Sequence, residues 1–143
     1  MGKKRIVKKG TEASEGEPKE KTAVLSKKRA DEGVLYVEST YNNTKLTLTD
    51  NKGNALTWSS SGSLGFRGAK KGTPFAAAKV GETVGTNAQA IGVKEVIVIV
   101  KGVGSGRESS IRGFLSRGIG VSLIKDATPI PHNGPKPKKP RRV

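Results

Sequence analysis

The chain reads as a single α/β domain, a mixed five-stranded sheet with two helices packed on it, and three observations predict this. Residues 34–59 hold three short β-type segments separated by turn chemistry, residues 74–91 repeat apolar side chains at helical spacing, and residues 95–100 form an unbroken β-branched run. The elements follow the order β-β-β-α-β-α-β, and strands joined through a helix must run parallel, so the sheet has to be mixed. At 143 residues the chain is long enough for one core and short for two. The expected division is a basic N-terminal extension over 1–30, an α/β core over 31–127 and a proline-rich basic arm over 128–143.

The first strand is expected over 34–39. In the second, residues 45–50, Leu46 and Leu48 point inward and Lys45, Thr47 and Thr49 outward. Asn51-Lys52-Gly53-Asn54 supplies hairpin turn residues before a third strand, 55–59, in which Leu56 and Trp58 share a face. A small-residue loop then runs to Gly72.

Thr73-Pro74 is an N-cap followed by proline at the first helical position. From there Ala77, Val80, Val84, Ala88 and Ile91 define one apolar stripe, and Gly92 stops the helix. Gly81 and Gly85 weaken the helix, and close approach to the sheet is the compensation expected. The run 95–100 reads as a central strand covered on both faces. A glycine-rich loop, 101–106, leads into a second helix over 107–117 with Ile111, Phe114 and Leu115 buried, and a last strand over 121–124 precedes the arm.

Charge narrows the partner. The net charge is +15, and it is concentrated at the ends: residues 1–30 hold ten Lys/Arg and four Glu, and residues 136–143 hold five Lys/Arg and no acid. Pro129, Pro131, Pro135, Pro137 and Pro140 deny the arm a helix or a central strand, which makes it an extended cationic segment suited to a polyanion. Neither end shows the amphipathic helix that membrane attachment uses, so nucleic acid is favoured over a membrane.

Other chemistries are excluded. The chain has no cysteine and one histidine, which rules out disulfides and thiolate sites and argues against zinc. No run approaches the roughly 20 apolar residues of a membrane span, no apolar stretch follows the basic N-terminus as in a signal peptide, and a cytoplasmic protein is expected. Gly102-Val103-Gly104-Ser105-Gly106 stands between a strand and a helix with Asp126 further on, as a dinucleotide fingerprint would. Its glycine spacing is wrong, and a tight turn or a simple phosphate cradle is the better reading. Glu38, Asp50, Glu82, Glu95, Glu108 and Asp126 form no short paired motif for a metal-dependent nuclease, and His132 lacks a partner for base catalysis. No enzyme, cofactor, metal or small-molecule substrate is expected.

The loops carry the remaining signal. Tyr41-Asn42-Asn43-Thr44 sits at a hairpin bend, where an Asn side chain either closes a turn or meets phosphate, ribose or a base edge. Residues 60–72 offer hydroxyl and N–H donors, Arg67, Lys70 and Lys71, and glycines that admit a phosphate beside a helix N-terminus. Phe66 either stacks on a base or, as the residue type favours, anchors the long loop. Asn133-Gly134 is also a sequence in which the glycine amide can attack the Asn side chain and form a succinimide.

Together, Tyr41-Asn42-Asn43-Thr44, Trp58-Ser59-Ser60-Ser61-Gly62, Gly65-Phe66-Arg67-Gly68, Lys71-Gly72-Thr73-Pro74, Gly118-Ile119-Gly120 and the stretch from Asp126 to Gly134 closely resemble the universal small-subunit ribosomal protein S-eleven family, in its order, from about Gly33 to Val143. The resemblance implies a ribonuclease-H-like fold without the nuclease site. It also implies a structural component of the small-subunit platform that binds 16S-type rRNA beside neighbouring platform proteins. The messenger RNA exit region, where Shine-Dalgarno pairing occurs, would lie close by.

Carried over by position, the RNA-binding residues would be Asn42, Asn43, Ser60, Ser61, Gly62, Arg67, Gly68, Lys70 and Lys71. Arg107, Arg117, His132, Asn133 and the tail cations Lys136, Lys138, Lys139, Arg141 and Arg142 would extend that surface. Two departures stand out. Pro135 occupies a position where many members carry Cys, and residues 1–30 match no family motif.

Overall fold

In the computed structural model, which describes residues 30–142, five strands form one mixed sheet. They are β1 (Glu32–Ser39), β2 (Thr44–Thr49), β3 (Ala55–Ser60), β4 (Glu95–Gly102) and β5 (Gly120–Asp126), in the order β3-β2-β1-β4-β5. β1, β2 and β3 pair antiparallel, while β4 runs parallel to both β1 and β5. Two helices, α1 (Pro74–Ile91) and α2 (Gly106–Leu115), make the crossovers. The expectation for residues 1–29 lies outside the described residues.

Alternation builds the sheet. Leu35, Val37, Leu46, Leu48, Val96, Val98 and Val100 point to one face and join Val80, Val84, Ala88, Ile91 and Phe114 of the helices in a single core. The hairpin between β2 and β3 is closed by Asp50, whose carboxylate accepts from the backbone N–H of Lys52 at 2.9 Å and of Asn54 at 2.8 Å. Gly53 takes the left-handed conformation that this turn requires, at φ 90°.

α1 begins and ends where its sequence signals put it. Thr73 Oγ1 accepts from the Ala76 N–H at 3.3 Å, Pro74 opens the helix, and Gly92 closes it at φ 99°. The whole stripe of Ala77, Val80, Val84, Ala88 and Ile91 is buried.

Four expectations are corrected. β4 is covered on one face only: its β-branched run buries Val96, Val98 and Val100 but leaves Ile97 and Ile99 half-exposed, because both helices lie on the same side of the sheet. Leu56 and Trp58 do not share a face. The β2–β3 register shifts between Leu48 and Thr49, which leaves Leu56 as the extra residue packed on the core, while in the regular ladder beyond it Thr57 faces inward and accepts from Asn87 of α1 at 3.1 Å and Trp58 faces outward, 58% exposed. Leu115, at the last turn of α2, is exposed rather than buried.

The fourth correction concerns the α1 glycines, which face α2 rather than the sheet. A Cβ on Gly81 would lie 2.2 Å from the Ser110 carbonyl oxygen, one on Gly85 would lie 2.8 Å from Arg117 Cγ, and one on Gly113 of α2 would lie 2.3 Å from the Ala78 carbonyl oxygen. The helices therefore cross backbone to backbone, which only glycine permits at these points.

Candidate nucleic-acid interface

One end of the sheet gathers the loops. β1 stops at Ser39, and the turn into β2 is held by Thr40: its N–H donates to the Asn43 carbonyl at 2.9 Å, and its hydroxyl accepts from the Asn43 N–H at 3.1 Å. The Asn side chains are not what closes this turn. Asn42 is exposed, and the carboxamide oxygen of Asn43 is buried with no protein partner.

The loop after β3 is pinned to the same end. The Ser61 N–H donates to the Thr44 carbonyl at 3.0 Å, and Ser60 and Ser63 bond reciprocally, backbone N–H to hydroxyl, at 3.2 and 2.9 Å. Ser61 is fully buried, so its side chain serves the loop from within, while Gly62 is exposed. Phe66 meets Phe75 of α1 edge to face at 6.2 Å, and because Phe75 is itself 65% exposed the contact ties the loop to the surface of α1.

Arg67 and Gly68 lead into a short 3-10 turn, Gly68–Gly72, that the sequence did not announce. The turn presents Lys70 and Lys71 immediately before the N-terminus of α1, and the Thr73 hydroxyl fastens it by donating to the Lys70 carbonyl at 2.7 Å. Arg67, Gly68 and Lys70 are exposed and Lys71 is half-buried, its stem 3.8 Å from the space a Cβ on Gly62 would take.

Close backbone packing joins these segments. A Cβ on Gly72 would sit 2.2 Å from the Tyr41 carbonyl oxygen, and one on Gly104 would sit 2.2 Å from that of Thr40. The Ser105 hydroxyl, rather than capping α2, donates to the Gly72 carbonyl at 2.8 Å. The glycines of 102–106 thus make room for the neighbouring loop. Beneath them the hydroxyls of Ser39 and Thr44 are buried without protein partners.

The C-terminal arm departs from this same end. Gly102 N–H donates to Thr128 Oγ1 at 3.3 Å and Ala127 N–H to the Val100 carbonyl at 2.9 Å. Arg107 bridges the junction: Nη1 bonds the Gly102 carbonyl and lies 3.3 Å from Thr128 Oγ1, and Nη2 donates to Asp126 Oδ2 at 2.6 Å. The Thr128 hydroxyl, then the Thr128 N–H and then Arg107 hold the Asp126 carboxyl at about 2, below its usual 3.8. Past Thr128 the described residues of the arm form no helix or strand. His132, Asn133, Lys136, Lys138, Lys139, Arg141 and Arg142 are all exposed, and Asn133 adopts the left-handed conformation at φ 58°.

Asn42, Asn43, Ser60, Ser61, Gly62, Arg67, Gly68, Lys70, Lys71 and Arg107 are therefore brought to one end of the domain, with the arm beginning there. Arg117 is not: it follows the far end of α2 and lies 3.6 Å from Glu82 of α1. Sequence reading missed Thr40, Ser105 and Thr128, whose hydroxyls tie the loops together, and Lys45 and Lys101, exposed lysines at the strand ends that border them. A lysine one or two residues from the end of an apolar strand was the available signal. The opposite end of the sheet is acidic, with a groove lined by Ala30, Asp31, Glu32, Asp50, Asn51 and Lys52, so the domain is polarised.

Among the described residues no group of three or more His, Asp or Glu could hold a metal ion, and no helix is long and apolar enough to cross a membrane. A comparison with known protein families matches residues 33–142 to the family described as Ribosomal protein S11.

Proposed function

The chain belongs to the ribosomal protein S11 family, a structural component of the small ribosomal subunit that binds ribosomal RNA in translation, and we propose that it does so through the loop end of the sheet and the arm that leaves it. The observation that carries this reading is the convergence of residues 40–43, 60–72 and 102–106 with the start of the arm. Arg67, Lys70 and Lys71 supply phosphate contacts, Asn42 and Gly62 present exposed polar and backbone groups, and α1 adds its positive N-terminus.

In this reading the core docks by shape while Lys136, Lys138, Lys139, Arg141 and Arg142 follow the RNA outward. His132 and Asn133, exposed in the arm, are placed to meet RNA beside them. Ser61 acts by shaping the loop and Arg107 by aiming the arm. The 16S-type rRNA contact would lie in the platform of the cytoplasmic small subunit, among neighbouring platform proteins and near the messenger RNA exit region and its Shine-Dalgarno pairing. The strand order β3-β2-β1-β4-β5 supports the reading of the fold as ribonuclease-H-like.

The chain has no native cysteine, so a single Lys136→Cys variant can carry a tethered hydroxyl-radical source into purified small subunits. Cleavage of rRNA near its 3′ end and in the platform is the expected result. Cleavage confined to other regions would overturn the placement.

A further inference from the structure

The helix-free face of the sheet has no occupant within the described domain, and its chemistry is unusual. Strand register sets Trp58, Thr47, Tyr36, Ile99 and Lys125 in one row across all five strands. The next row toward the loops is Ser60, Lys45, Glu38 and Lys101. Lys45 lies 3.9 Å from Glu38, both about half exposed, so the pairing is loose, and Lys101 on β4 and Lys125 on β5, toward the other edge of the sheet, leave the two rows together net positive.

Trp58 is the outlier. It is 58% exposed, and β3 meets the core through Leu56, Thr57 and Ser59, so folding makes little use of the indole. It stands two residues before Ser60, where the strand runs into the candidate interface. An exposed aromatic on an open sheet, with cations in the adjoining row, is the arrangement by which sheets receive unpaired bases: the ring takes the base and the ammonium groups take the backbone. The acids Glu32 and Glu95 lie at the far end of the face, which directs a polyanion to its loop-side half.

We propose that Trp58 is a stacking platform for an unpaired base of the bound RNA, with Lys45 as the cation that meets the adjoining phosphate. The assignment rests on the RNA-binding reading above and extends the contact surface from the loops onto the open face. Tyr36, about 10 Å away across two strand spacings, is half-buried in the same row and is the next aromatic that a continuing strand would meet.

The sole tryptophan makes the test site-specific. The full chain is titrated with a labelled single-stranded small-subunit rRNA fragment, reading binding by the label's anisotropy and stacking by quenching of Trp58 emission. The expected result is quenching in step with anisotropy, a weakening of about 5- to 100-fold in Trp58→Leu, and near-native affinity in Trp58→Phe. Binding seen by anisotropy with unchanged Trp58 emission, or native affinity in Trp58→Leu, overturns the proposal and gives the open face to a protein neighbour. Loss of anisotropy change in the parent chain itself refutes the RNA-binding reading, and the stacking role with it.

Discussion

Arg107 and Asp126, nineteen residues apart in the chain, meet through a 2.6 Å bond that also draws in Thr128 and the Gly102 carbonyl. This contact converts a proline-rich cationic tail into an arm with a defined point of departure. It fastens the end of β5 to the first turn of α2 and the end of β4, beside the residues that gather at the same edge.

The Asp126 carboxyl should titrate near 2 when followed by NMR. Because its folded value is depressed, the junction's support is complete above the ordinary value of 3.8 and is lost as pH falls from there toward 2. Thr128→Val removes the largest contribution and one of the two Nη1 partners of Arg107, and should move the titration upward toward 3.8. A midpoint unchanged in the variant would show that the hydroxyl is not what holds it.

The arm should supply a countable electrostatic contribution. Removing residues 136–143 deletes five cations, and if each neutralises one phosphate the dependence of log affinity on log salt should become shallower by about 3.5 to 4.5. Equal slopes for the full and shortened chains would mean that the arm makes no phosphate contacts.

Replacing Arg67, Lys70 or Lys71 singly by Ala should weaken rRNA binding with little effect on thermal stability, since Arg67 and Lys70 are exposed and none of these side chains makes an ion pair among those found in the described residues. Each should take about 0.7 to 0.9 from the salt slope. Arg117→Ala, at the far end of α2 beside Glu82, should leave the slope near its native value.

The helix crossing should be intolerant of a single methyl. Gly81→Ala places a Cβ 2.2 Å from the Ser110 carbonyl oxygen, and backbone on both sides cannot yield as a flexible side chain would. A destabilisation of about 2–3 kcal/mol in urea unfolding is expected. At the N-cap of α1, Thr73→Ala should cost about 1 kcal/mol, because Ala76 N–H loses its acceptor.

How much was legible in the sequence can be judged residue by residue. α1 was readable to its ends because Thr73, Pro74 and Gly92 act locally, and Leu46 and Leu48 declared their face through simple alternation. β4 was not fully readable, since Val and Ile in succession look alike whether a strand is covered on one side or two. The inward position of Leu56 depends on a register shift between strands, which no period within β3 records.

For the interface, motif order located the loops, but packing decided their roles. Ser61 reads as a polar loop residue and is fully buried. Arg107 reads as a free cation and is committed to Asp126, and Gly81 reads as a helix defect until Ser110 is seen against it. Each of these depends on a partner distant in the chain, which local composition does not encode.

Ultraviolet crosslinking of purified small subunits, with the crosslinked peptides identified by mass spectrometry, tests the central claim most directly. Crosslinks to rRNA should fall on peptides carrying Asn42 and Asn43, residues 62–71, and the arm from His132 onward, and be absent from the acidic end around Asp31 and Asp50. Crosslinks concentrated on that acidic end or on the outer surfaces of α1 and α2, with the loops and arm free, would contradict it.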